Sequence, residues 1–289
     1  MKKGFFTSNW VYILWFLVYF TLAWLMCGAS AESFLILLFA YGISIGIALS
    51  PIGEWILQRI EGIRKPLTME ESQYLYSLFN EVYNEALEKN PRLSGDIQLY
   101  ISDTMMINAF AIGRNTIAIT TGAMQTLTPD QLKGIMAHEI GHLSYGHTKA
   151  LLLNVVGNGI FTLFVIFFRL VLAILQTISE IFNGGIFYLI FTITKALLNV
   201  ANTIIIYLGQ IILALNSRSN EYLADEFALK IGYGEELISA LYLLQRISMN
   251  YRPTLSERLK SSHPHIAKRI ERLESMMENM TETIAIERT

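Results

Sequence analysis

The chain has a single cysteine in 289 residues, Cys27, and it stands in an apolar run. An intramolecular disulfide is therefore excluded, thiolate metal ligation is disfavoured, and Cys27 reads as a small apolar residue. Charge is scarce as well: Asp, Glu, Lys and Arg make up 16% of the residues and the formal net charge is -2. Without a basic surplus or a Lys/Arg cluster, nucleic acid and other polyanions are not expected partners. Internal repeats and low-complexity segments are lacking too. In their place stand apolar residues, 53% of the chain, and their grouping into long runs marks an integral membrane protein with a water-facing portion.

The first run, Trp10 to Met26, follows Lys2 and Lys3 and ends in Cys27-Gly28-Ala29-Ser30-Ala31. It exceeds the ~7–15 residues of a signal-peptide core, and a second run, Phe34 to Leu49, comes almost at once. Residues 1–57 are thus expected to form a transmembrane hairpin, which Pro51 and Gly53 end or kink. Lys2 and Lys3 before it, and Arg59, Arg64 and Lys65 after it, place both ends in the cytoplasm by the positive-inside rule. A second hairpin is expected over residues 151–216, from Leu151 through Thr194 and from Ala196 to Leu215, with Asn154 and Asn158 on a polar stripe that packs against another helix. On this topology Arg169 and Lys195 fall at the outer boundary. Either they snorkel there, or Val171 to Thr194 dips into the bilayer without crossing it.

Between and after the hairpins lie two water-facing parts, residues 58–150 and 217–289. Thr68 and Glu71 form a capping box that opens an amphipathic helix with Leu75, Leu78, Phe79, Val82 and Ala86 on one face, and Asn90-Pro91 ends it. Three β-prone segments follow: Ile97 to Ile101, Ile107 to Ile112 and Thr116 to Thr121, with a turn at Gly113-Arg114-Asn115. Near the C-terminus, Leu237, Leu241 and Leu244 give one apolar helical stripe, and Ile266, Ile270, Leu273 and Met277 another. The expected fold class is mainly α with a small β-sheet.

The chemistry gathers at His138-Glu139-Ile140-Gly141-His142, an H-E-x-x-H pattern. Four helical residues advance about 400°, so both imidazoles leave one face and reach one metal ion. Thr128 as N-cap, Pro129 at the first helical position and Gln131 closing a capping box signal the helix start. Two histidines leave a zinc site incomplete. Downstream, Glu221 and Asp225 are again four apart: Glu221 completes a His-His-Glu set with a fourth position open to water, and Asp225 accepts a hydrogen bond from a ligand imidazole. Glu139 is then the general base. Nine residues separate His142 from Leu151 and six separate Leu215 from Glu221. At 1.5 Å per helical residue these are roughly 13 Å and 9 Å, which hangs the metal just below the membrane surface if both connections are helical.

These residues, with Asn108-Ala109-Phe110-Ala111, Thr121-Gly122, Ser217-Arg218 and Ser262-His263-Pro264, and with the paired hydrophobic runs, resemble the HtpX-type membrane zinc endopeptidases of the M48 family over essentially the whole chain. The resemblance implies a gluzincin-type catalytic domain on the cytoplasmic face of a bacterial plasma membrane, one Zn2+ per chain, and misfolded or damaged membrane proteins as polypeptide substrates. In such enzymes His138, His142 and Glu221 bind zinc, Glu139 is catalytic, and the strand of Asn108, Ala109, Phe110 and Ala111 lines the substrate cleft. Asn220 departs from the basic residue of many relatives. An extended substrate would pair with that strand, and His263 is a candidate oxyanion donor; His147 and His265 read as structural.

Three other enzyme classes fit less well. A metzincin would need H-E-x-x-H-x-x-G-x-x-H, but Gly146 comes one residue late and His147 one early. An intramembrane site-2 protease would place the metal helix in an apolar span, yet this helix carries Asp130, Gln131 and Lys133. A CAAX-type prenyl-protein endopeptidase shares the motif but has more spans. A non-catalytic membrane scaffold would hold a structural zinc with four protein ligands.

Overall fold

The computed structural model describes residues 5–90, 93, 96–155, 158–182, 184–248 and 265–287. Helices α1 (Phe5–Met26) and α2 (Ala31–Ala48) are joined by a short turn in which Ser30 caps α2. The rings of Trp24 and Phe34, and of Phe16 and Tyr41, meet edge to face, so the two helices run antiparallel. Ser50 then caps a separate helix, α3 (Pro51–Ile60), with Pro51 at its first position. Pro51 thus ends the second apolar helix, as its missing N–H and fixed φ require.

Helix α4 (Met69–Lys89) opens on the Thr68–Glu71 capping box and buries Leu75, Leu78, Phe79, Val82 and Ala86, the five residues of the expected apolar face. Four strands form one sheet of order β1-β2-β4-β3: β1 (Ile63–Arg64), β2 (Gln98–Ser102), β3 (Ala109–Ile112) and β4 (Thr116–Thr120). β2 and β4 are parallel, whereas β3 and β4 form an antiparallel hairpin about Gly113, whose φ is 64°. β1 carries no signal in the sequence, because two residues show no periodicity; it is fixed by pairing with β2 and by Arg64, which bridges Glu71 and Asp103 at 2.9 and 2.7 Å. β3 is left as an edge strand.

Helix α5 (Thr121–Thr126) leads to α6 (Pro129–Tyr145), which carries both histidines of the motif and begins on the expected capping box. Leu132, Met136 and Ile140 of α6 are fully buried, each side chain contributing about 1.5–3 kcal/mol by its removal from water. They anchor the helix in a core shared with α4, the sheet, α10 (Gly234–Ser248) and α11 (Ile266–Glu287). α6 ends at Gly146, left-handed at φ 70°. The connection toward the second apolar region is therefore not one continuous helix, and a new helix, α7 (His147–Val155), starts at His147.

Two longer helices follow, α8 (Gly159–Ile181) and α9 (Gly185–Lys230). They meet at a single turn where Ser179 Oγ donates to the Gly184 carbonyl at 2.9 Å. Arg169 and Lys195 lie inside these helices, about three turns from that turn, not at its boundary. Asn158 is buried, and the side chain of Asn154 lies outside what the structure describes. The four helices α1, α2, α8 and α9 are long and apolar enough to cross a membrane. Their outer surfaces carry bare Leu35, Phe39, Leu163, Phe167, Ile186 and Leu197, apolar area far beyond what a water-exposed monomer leaves open. The protein is accordingly a membrane protein whose remaining elements form a mixed α and β unit.

Candidate metal centre

Two helices build the site. α6 presents His138, Glu139 and His142, while the last third of α9 presents Glu221 and Asp225. Their backbones touch at a pair of small residues: a Cβ added to Gly141 would stand 3.0 Å from Ala224 Cα and 3.1 Å from its carbonyl oxygen. Gly141 precedes His142 and Ala224 precedes Asp225, so the absence of a side chain at Gly141 is what lets the carboxylates reach the imidazoles. Gly134, one turn before His138, does the same for α10; its Cβ would stand 2.3 Å from the Leu237 nitrogen.

The donors converge. His138 Nε2 lies 3.4 Å from Glu221 Oε2, His142 Nε2 lies 3.3 Å from Glu221 Oε1, and the two Nε2 atoms are 3.2 Å apart. Ligand atoms of these three residues all lie within 4.8 Å of one another, a group that could hold a metal ion. Two imidazole nitrogens and a carboxylate are the donor chemistry zinc prefers. The opposite ring edges are held too: His138 Nδ1 is 2.9 Å from Asp225 Oδ1, and His142 Nδ1 is 3.0 Å from His147 Nδ1. Each histidine is thus turned so that Nε2 faces the common point.

Arg269, on α11, closes the back of the site. Its guanidinium donates to both Asp225 oxygens at 2.9 and 2.6 Å and lies 3.2 Å from Glu221 Oε2, and the residue is buried. Arg269 is not among the site residues expected from the sequence. The available signal was a lone arginine between Ile266, Ile270 and Leu273 on an apolar helical face, where a cation must find a carboxylate. Likewise His147, read only as structural, buttresses His142.

Electrostatics follow from this packing. For His138, burial and the Arg269 charge favour the neutral ring, but hydrogen bonds that the ring donates to Asp225 and Glu221, together with the Asp225 charge, outweigh them and raise its pKa to about 9. Burial, with the charge of His142, drives His147 down to about 2, so it is neutral. Burial opposes ionisation of Asp225, yet Arg269 and His138 overcome that and hold it below the usual carboxylate range.

Glu139 is buried beside this group, its Oε2 accepting the Ala111 N–H at 2.8 Å. Ala111 belongs to edge strand β3, so the edge faces the carboxylate. Asn108 precedes the strand, its N–H and carbonyl both engaged by Thr120 Oγ1 at 3.0 and 2.7 Å, Ala109 is buried and Phe110 half-buried. His263 lies outside the described residues; His265 is exposed, its Nδ1 accepting from the Ala267 N–H. Asn220 is buried in α9 next to Glu221, a place where a neutral amide is easier to accommodate than a further charge.

The model of peptidase family M48 matches residues 70–277. A protein named Protease HtpX homolog, from Pyrococcus abyssi, is 32% identical over 85% of this chain and 86% of its own length. One named Protease HtpX, from Buchnera aphidicola subsp. Schizaphis graminum, is 28% identical over 89% and 93%. The crystal structure of S. mikatae Ste24p aligns with a TM-score of 0.49 and 20% identity, covering 89% of this chain and 61% of that one.

Proposed function

The chain belongs to peptidase family M48 and is a membrane metalloendopeptidase, and from that premise we propose that His138, His142 and Glu221 hold one zinc ion, with Glu139 as the catalytic base. The observation that carries this reading is the convergence of three ligand atoms from two helices far apart in sequence, with Glu139 fixed beside them. Zinc in a His-His-Glu site supplies polarisation of the scissile carbonyl and a water made acidic, with pKa near ~7.

The protein's own groups do the rest. Glu139 takes the proton of the attacking water and returns it to the leaving amine; its bond from the Ala111 N–H holds the carboxylate at the edge of β3. Asp225 and His147 hold the rings of His138 and His142, and Arg269 keeps Asp225 ionised and holds both buried carboxylates in place. An extended polypeptide adds to the sheet along the edge of β3 at Ala109, beside the Ala111 N–H that Glu139 occupies, which brings its backbone past Glu139. His263 remains the proposed oxyanion donor.

We place α1 with α2, and α8 with α9, as two membrane hairpins, with residues 58–150 and 217–289 joined into one catalytic unit on the cytoplasmic side of a bacterial plasma membrane. The charge distribution of Lys2, Lys3, Arg59, Arg64 and Lys65 supports that orientation. Misfolded or damaged membrane proteins presented at that surface are the substrates. Among the described residues the group has three protein ligands rather than four, which favours a catalytic over a structural site, and the HtpX-named relatives, aligned over most of their length, favour this reading over a prenyl-protein endopeptidase.

The test is cleavage of an unfolded membrane protein by detergent-purified enzyme. Chelator should abolish it, and Glu139→Gln should lose about 10²–10⁴-fold in turnover while keeping its zinc. Undiminished cleavage by zinc-loaded Glu139→Gln would remove that residue from the mechanism.

A further inference from the structure

Helix α3 has no part in the chemistry above, yet it is placed between the apolar helices and the sheet. Its inner face carries Gly53, Glu54 and Leu57, all buried. Its outer face carries Ile52, Trp55 and Ile60, which are 59%, 56% and 67% exposed, and the Arg59 guanidinium lies over the Trp55 ring at 5.5 Å. The depth of this outer face is fixed by backbone contact. Ser50 Oγ donates to the Ile47 carbonyl at 2.7 Å and accepts the Ile52 N–H at 3.1 Å, so one side chain closes α2 and opens α3. Gly53 packs on Ala48, the last residue of α2, so closely that a Cβ would meet the Ala48 oxygen at 2.3 Å. Ile52 and Trp55 therefore leave the protein at the level where α2 ends.

We propose that α3 lies in the lipid–water interface, with Ile52 and Trp55 seated among headgroups and upper acyl chains and Arg59 reaching the lipid phosphates. An exposed face that joins large apolar side chains, an indole and a cation is what an interfacial helix presents, its apolar side buried about 5–10 Å into that boundary. Continuity with α2 singles out lipid as the occupant. On the opposite face Glu54 accepts from Thr116 Oγ1 at 2.6 Å and from the Asn115 N–H at 3.3 Å, while Arg114 donates to the Leu49 carbonyl at 2.9 Å. α3 is thus a bracket: lipid on one side, the β3–β4 turn on the other. Through that turn it sets the height of edge strand β3, and with it the Ala111 N–H that holds Glu139, above the bilayer.

The inference rests on α2 being membrane-embedded and is independent of the peptidase assignment. Cys27 is the only cysteine, so a Cys27→Ala background allows a single spin label at position 52, 61 or 38 (Ile52→Cys, Glu61→Cys, Leu38→Cys). The full chain is reconstituted in vesicles of equal parts phosphatidylethanolamine and phosphatidylglycerol, and label accessibility to oxygen and to a water-soluble nickel chelate is compared. The oxygen-to-nickel ratio at 52 should be several-fold above that at exposed Glu61 and below that at Leu38, in the middle of α2. Should Ile52→Cys not fold, Trp55→Cys reports the same face. A ratio at 52 equal to that at 61, with 38 still oxygen-rich, overturns the interfacial helix alone. Nickel access at 38 overturns the membrane reading beneath it, and a label at 52 shielded from both reagents shows a protein partner on that face and overturns lipid contact.

Discussion

Gly141 offers a prediction in which two known effects pull in opposite directions. It lies inside α6 with no positive φ, so Gly141→Ala carries no backbone strain, and helix propensity alone would stabilise the variant by about 1 kcal/mol. Against this stands the contact with α9. The new Cβ would be 3.0 Å from Ala224 Cα, 3.1 Å from Ala224 O and 3.2 Å from Phe227 Cβ, whereas carbon atoms rest at about 3.5–4.0 Å. Two of these are backbone atoms that cannot rotate away, so α9 must withdraw by about 0.5 Å to restore that spacing. Glu221 rides on the same helix, one turn before Ala224. Ligand distances in a working metal site hold to about ±0.2 Å, so a shift of that size separates the carboxylate from the imidazoles. Overpacking of about 1–3 kcal/mol should cancel or exceed the propensity gain, and zinc affinity should fall at least about tenfold, the scale seen when ligand support is lost. Chelator competition on the purified protein measures the affinity, with Gly46→Ala, which meets no heavy atom within 4 Å, as a control expected to match the parent. A Gly141→Ala protein that is more stable than the parent and binds zinc equally well would refute the claim that this contact sets the site.

Gly134→Ala should be the harsher change, since its Cβ would stand 2.3 Å from the Leu237 nitrogen; α10 must shift, and unfolding by denaturant should show a larger loss than for Gly141→Ala. Asp225→Asn keeps the shape but removes the charge that holds His138 and Arg269; zinc affinity should drop about 10–100-fold, which the same competition assay reads. Glu71 supplies the pH test. The Arg64 hydrogen bond first, then the backbone N–H groups of Leu67 and Thr68, lower its pKa from 4.5 to about 2. Because the folded value is the lower one, its stabilising contribution is present above pH about 4.5 and is lost as pH falls toward about 2. Denaturation midpoints followed through that window should flatten in Glu71→Gln relative to the parent.

The elements legible in the sequence are those governed by local rules. The Thr68–Glu71 and Thr128–Gln131 boxes, Pro51 ending the second apolar helix and the spacing of His138 and His142 each depend on a few neighbouring residues, and each lies where the pattern places it. What stayed hidden depends on partners distant in the chain. β1 exists because Arg64 finds Glu71 and Asp103; Arg269 matters because α11 packs across α9; His147 faces His142 because Gly146 turns the chain left-handed between them. Gly146 also explains why the connection from His142 to Leu151 is broken while that from Leu215 to Glu221 is continuous helix.

That asymmetry decides how the site is assembled. α9 runs unbroken for 46 residues, a rod of about 69 Å, whereas a hydrocarbon core of about 30 Å takes up only ~20 residues. Glu221 and Asp225 are therefore attached to the membrane-embedded part without a hinge. His138 and His142 belong to α6, which Gly146 uncouples from the apolar helices and which is fixed instead by Leu132, Met136 and Ile140 in the core of the water-facing unit. The carboxylates thus sit on a helix that continues into the apolar region and the imidazoles on one that does not, and the two are registered by the Gly141–Ala224 contact, by Phe227 and Ala228 in the core that holds α6, and by Arg269, which pairs with Asp225 and Glu221 from a third helix. The apolar helices between His142 and Glu221 are consequently continuous with the carboxylate side of the candidate site, since α9 carries Glu221 and Asp225 with no break from Gly185 onward.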